Sequence, residues 1–140
     1  MRYLEKFKAL ILVVIIVSFI TPAFAAPRAK TTQEIKIVAD PLLDNIIEGF
    51  KFDKYTIYCR DLDAELKVAG SRTKFFKVSR HIKTSLGNYL YREYMGSLLK
   101  GDMIVVLWKA KYDKTKNDVL IKLVIKKQGR HYVVTGLWLQ

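Results

Sequence analysis

Asp61, Asp63 and Glu65 form the one carboxylate cluster in this sequence. On a regular helix Asp61 and Glu65, four positions apart, share a face, and such a pair can bind a cation or shift a proton affinity for acid–base work. No histidine accompanies them, so a solvated face answering Lys54, Arg60 and Lys67 is the plainer alternative. His81 and His131 sit beside Arg80, Lys83 and Arg130 in stretches that look exposed, far apart along the chain, and nothing in the sequence supports a nucleophile–base pair. The single Cys59 cannot close an internal disulfide and reads as a small apolar residue. No C-x-x-C, phosphate loop, G-x-S-x-G or H-E-x-x-H occurs, so no catalytic residue, metal or cofactor is implied, and the reading leans away from an enzyme.

Aromatic and basic residues offer more. Tyr89, Tyr91, Tyr94, Trp108, Tyr112, Tyr132 and Trp138 all fall in the second half of the chain. Those alternating away from lysine could line an apolar pocket with hydroxyl handles, and Tyr58, Asp61, Tyr94, Trp108, Tyr112 and Trp138 are its candidate lining. Ordinary core filling is the alternative. Lys109, Lys111, Lys122 and Lys126 alternate with apolar residues and so fall together on a polar face. Of the formal net charge of +12, residues 67–140 carry sixteen Lys+Arg against four Asp+Glu, while residues 26–66 carry six against eight. A basic sheet face of this kind could steer toward an anionic envelope component or an acidic partner. The strands lack the aromatic row interleaved with lysine that nucleic acid would use, and none is expected as a partner. A lysine-rich face that only keeps the protein soluble is the alternative.

The elements that must hold these residues follow from periodicity. Asp40-Pro41 reads as a helix start, with Leu42, Leu43, Ile46, Ile47 and Phe50 as its stripe. Asp53 caps a second helix running through Leu62 and Leu66 to Gly70, and Ser71 a third, in which Phe75, Val78, Ile82 and Leu86 share a face until Gly87-Asn88. After Asn88 the period changes from 3.6 to 2. Residues 89–99, 103–112, 118–126 and 132–139 read as antiparallel strands joined by short turns, with Tyr132, Val134, Gly136 and Trp138 on one side of the last. Three N-terminal helices on a four-stranded antiparallel meander give an α+β domain spanning residues 37–140, preceded by a flexible leader over 26–36.

Residues 1–25 read as a cleaved signal peptide: Arg2, Lys6 and Lys8, an apolar run over 9–20, then Pro22 and Ala23-Phe24-Ala25. An uncleaved anchor over 9–26 is the competing reading, but the run is short for a span, and no stable membrane span is expected after processing. The expected location is the periplasm or the medium. The order of elements resembles the cystatin-like architecture of the nuclear-transport-factor-2-like superfamily. Tyr58-Cys-Arg-Asp-Leu-Asp, Leu107-Trp-Lys-Ala-Lys-Tyr-Asp-Lys and Tyr132-Val-Val-Thr-Gly-Leu-Trp look like a family of small exported bacterial domains within it. The resemblance implies fold and export, cavities in some members and homodimers through the sheet, and it carries over no site residue.

Overall fold

The computed structural model describes residues 31–140; the expected signal peptide and the start of the leader lie outside them. The chain runs α1 (Thr32–Phe52), α2 (Tyr55–Tyr58), α3 (Ala64–Ala69), α4 (Arg72–Ser85), then β1 (Tyr89–Lys100), β2 (Met103–Tyr112), β3 (Val119–Gln128) and β4 (His131–Leu139). The strands form one antiparallel sheet in the order β1-β2-β3-β4. This is an α+β fold with an open four-stranded meander.

α1 starts eight residues before the expected Asp40, so the last residues assigned to the leader are helical. A capping box explains it: Thr31 N–H donates to Glu34 Oε2 at 2.7 Å and Glu34 N–H to Thr31 Oγ1 at 3.2 Å. Pro41 then lies inside the helix. It deprives the Ile37 carbonyl of its helical donor, at a position 64% exposed where solvent can replace it. Asp53, expected as the cap of a second helix, instead ends α1 in the left-handed region at φ 52°. Its carboxylate accepts from the buried Ser79 hydroxyl at 2.6 Å and from Lys83, tying α1 to α4.

The expected second helix is two short ones. Between α2 and α3 the chain leaves helical geometry so that Leu62 can make a parallel bridge with Val134. Val134 N–H donates to the Asp61 carbonyl at 2.8 Å and Asp63 N–H to the Val134 carbonyl at 2.9 Å, covering part of the outer edge of β4. Two sheet hydrogen bonds and the burial of Leu62 outweigh one continuous helix here.

One core fills the space between the helices and the sheet. α1 contributes Ile35, Ala39, Leu43 and Ile46, and the sheet contributes Val106, Trp108, Ile121, Leu123, Ile125 and Val134. Alternate burial along β2 and β3 follows the period of two in the sequence. β4 departs from it. Val134 pairs with Ile125 but Gly136 pairs with Val124, so Thr135 is bulged and the residues beyond it change faces. Leu137 and Leu139, paired with Leu123 and Ile121, turn toward the helices. Trp138, expected beside Val134 over the core, lies opposite Lys122 on the open face and is 43% exposed.

Candidate functional site

The six residues expected to share a pocket are distributed over five places. Tyr58 belongs to an aromatic cluster, its ring centroid 5.0 Å from that of Phe50 and 4.8 Å from that of Phe75, and burial raises its phenol pKa. Asp61 accepts from the Asn45 amide at 2.6 Å. Its neighbour Asp63 caps α3 by accepting from Leu66 N–H at 2.7 Å. The Asp61–Glu65 pair on one helical face does not form, because the helix is broken between them. Trp138 stands on the open face under the Lys122 ammonium, 4.2 Å from its ring centroid. Its ring lies so close over Gly136 that a Cβ there would displace it.

Tyr94 and Trp108 meet edge to face at 6.4 Å under the N-terminal half of α1, beside three residues that sequence patterns did not single out as a site. Arg92 places one guanidinium nitrogen 2.7 Å from Asp44 and the other 3.2 Å from Asp40. The Trp108 indole N–H donates to the same Asp40 oxygen at 3.2 Å. Burial works against the Arg92 charge, and the hydrogen bonds and charge interactions of Asp44 and Tyr89 together more than offset it, so the guanidinium is held more firmly protonated than usual. Each charged side chain in this group has a partner in it, and the contacts lock α1 onto the sheet. Asp40, which resembles a helix cap in the sequence, works 52 residues away from its Arg92 partner.

Tyr112 alone of the six lines the cavity between helices and sheet. This cavity has a volume of about 230 Å³ and opens where α1, α4 and the ends of the strands meet. Its walls are Leu43, Ile46, Ile47 and Phe50 of α1 and Ile121, Leu137 and Leu139 of the sheet. Lys51, Lys83, Asn88, Tyr89 and Tyr112 supply the polar part of its lining. Tyr112 is 5% exposed, and burial pushes its phenol up to about 12, so the hydroxyl keeps its proton. That hydroxyl makes no hydrogen bond among the described residues. Lys51 forms no ion pair among the described residues, its ammonium lying 5.2 Å from the centroid of the exposed Phe52 ring, whereas Lys83 is bound to Asp53. The lip of the cavity is held by Asp113, which accepts from the backbone and side chain of Asn88 at 2.8 and 2.7 Å. The bulge at Thr135 has a direct consequence here, for it turns Leu137 and Leu139 into the cavity wall.

The four lysines do lie on the open face, two on β2 and two on β3. Lys109 pairs with Glu93, Lys111 with Asp118 and Lys126 with Asp102, each at 2.7 Å, and Lys122 covers Trp138. Hydrogen bonding from Lys111 and from Lys126 holds the Asp118 and Asp102 carboxyls below their usual range. Between the lysines the same face presents Leu107, Val105 and Val124, so it is a mixed surface and not a continuous cationic one. His81 and His131 are both exposed, and Cys59 is half-buried against the core.

Among the described residues no helix is long and apolar enough to cross a membrane, and no three His, Cys, Asp or Glu side chains come together in a metal-binding group. Fold and cavity define the class: an α+β protein with an open antiparallel sheet and an apolar cavity beneath its helices. No family model, curated protein or solved structure matches the chain.

Proposed function

We propose that the chain is an exported, non-enzymatic binding module whose helix–sheet cavity takes a small apolar molecule, or a short acyl chain bearing one anionic or acceptor group. The observation that carries this reading is the space itself. Protein interiors are close-packed, and an apolar space of this size reaching in from the surface between helices and sheet is room that side chains leave unfilled. At about 230 Å³ it exceeds the ~150 Å³ that admits benzene and falls below the ~300 Å³ at which drug-sized clefts begin. The Tyr112 hydroxyl is a donor left over for a ligand's polar end, and the Lys51 ammonium can join it by leaving the exposed Phe52 ring. The basic, apolar start of the chain supports export, and the order of helices and meander supports the cystatin-like architecture.

Octanoate and octanol are suitable probes. Calorimetric titration should show saturable binding of octanoate, reduced about tenfold by Tyr112→Phe, in line with the loss of one hydrogen bond to a charged group. Ile47→Trp, which fills the space, should abolish it while leaving the fold intact. Absence of saturable binding for both probes overturns the reading.

A second reading retains an electrostatic partner but moves the contact from the sheet face to one end of the sheet. Lys100, Lys127 and Arg130 are exposed near the β1–β2 and β3–β4 turns, and none forms an ion pair among the described residues. A contact made there with an anionic envelope surface should bind anionic vesicles over neutral ones and release them at high salt. Equal binding to both vesicle types removes it.

A further inference from the structure

We propose that two copies of this chain pair edge to edge through β1, antiparallel about a twofold axis at Ser97, to make one eight-stranded sheet. Five of the eleven large hydrophobic residues exposed in the described chain lie on this one strand: Leu90, Tyr91, Met95, Leu98 and Leu99. β1 is an edge strand of 12 residues. Among the described residues no backbone group from outside the sheet bonds to it, whereas the opposite edge is partly covered by residues 61–63. A long apolar edge left open is a template for another strand.

The register follows from which side each residue faces. In the pairing with β2, Tyr94 opposes Trp108 and Gly96 opposes Leu107, so Met95 is bulged out of the ladder. With Met95 skipped, Glu93, Gly96, Leu98 and Lys100 face the open side and Tyr94, Ser97 and Leu99 the helix side. An axis at Ser97 then matches side to side throughout: Gly96 with Leu98, Tyr94 with Leu99, and Glu93 with Lys100 of the second copy. Each of these contacts occurs twice.

Two features favour a second copy over an unrelated strand. The first is charge: Lys100 has no ion pair among the described residues, and the Glu93 side chain, although paired with Lys109, remains 56% exposed and can accept from a second ammonium. The second is shape. A Cβ placed on Gly96 would meet nothing within 4 Å, and that empty position is where Leu98 of the other copy, 62% exposed, would rest.

Opposed residues in an antiparallel pair have Cα atoms about 4.5–5.5 Å apart, within the range a disulfide can span. In a Cys59→Ser background, mild oxidation of Ser97→Cys should therefore give a covalent dimer with an unchanged circular dichroism spectrum. Leu99→Cys, which faces Tyr94 of the other copy, should not cross-link. Sedimentation equilibrium of the unmodified chain should show a concentration-dependent dimer, weakened about tenfold by Lys100→Glu through the loss of two symmetric ion pairs. Val105→Lys, in the middle of the open face, should leave the dimer unchanged. A monomer at every attainable concentration, equal cross-linking at positions 97 and 99, or dissociation by Val105→Lys overturns the proposal.

Discussion

Gly87 shows how much one residue can hold at this site. Its φ of +87° favours glycine, and a Cβ there would collide with the Asp113 carboxylate that fixes Asn88 at the cavity lip. Gly87→Ala should cost roughly 1–3 kcal/mol in denaturant unfolding, since the side chain meets backbone strain and a clash together. Asp53 sets a different dependence. Hydrogen bonds from Lys83 and Ser79 hold its carboxyl below the ordinary value of 3.8. With the folded value depressed, its contribution to stability is complete above the unfolded value and disappears as pH falls through the folded one. Asp53→Asn should lower stability at neutral pH and flatten the acid limb of the stability profile, as read from thermal unfolding across acidic pH. An unchanged acid limb would show that the Asp53 contacts are not maintained in solution.

At the level of elements, the bulge in β4 decides which side chains enclose the cavity. Because strand side chains alternate, deleting the bulged residue straightens the strand and keeps the facing of everything beyond it, whereas deleting one residue more reverses that facing. Deletion of Thr135 alone should therefore leave Leu137 and Leu139 on the helix side, while deletion of Thr135 and Gly136 together should turn Trp138 to the helix side, expose Leu137 and Leu139, and abolish cooperative unfolding monitored by near-ultraviolet circular dichroism. Persistence of a sharp transition in the double deletion would show that the sheet tolerates either face. The same alternation explains what the sequence revealed. Lys109, Lys111, Lys122 and Lys126 mark the open face so regularly that β2 and β3 are readable from pattern alone, and the capping box at Thr31 was present to be read but was overshadowed by Asp40-Pro41. Bulges at Met95 and Thr135 carry no such mark, because an inserted residue looks like any other member of a strand. The break between α2 and α3 was equally hidden: Leu62 fits a helical stripe, and its bridge to Val134 depends on a partner 72 residues away. Of the residues expected to line a pocket only Tyr112 reaches the cavity, although its α1 wall of Leu43, Ile46, Ile47 and Phe50 was readable as a helical stripe. Leu137 and Leu139, in its sheet wall, owe their facing to one bulge.

For the molecule as a whole, cavity and core are continuous, so occupancy of the first should be felt in the stability of the second. A ligand that binds only the folded chain stabilises it by about 2.7 kcal/mol at a hundredfold excess over its dissociation constant. The two tryptophans can follow this separately. Trp108 is 1% exposed within the core, whereas Trp138 sits half-exposed on the open face away from the cavity. In a Trp138→Phe variant the remaining fluorescence reports the core alone, and octanoate should raise the temperature of its unfolding transition as ligand concentration increases. The Ile47→Trp protein adds an indole and needs a backbone probe instead; by far-ultraviolet circular dichroism it should unfold at the same temperature with or without octanoate. Equal stabilisation of both proteins would place the ligand outside the cavity, and because Lys100, Lys127 and Arg130 remain in each, it would direct attention to the cationic end of the sheet.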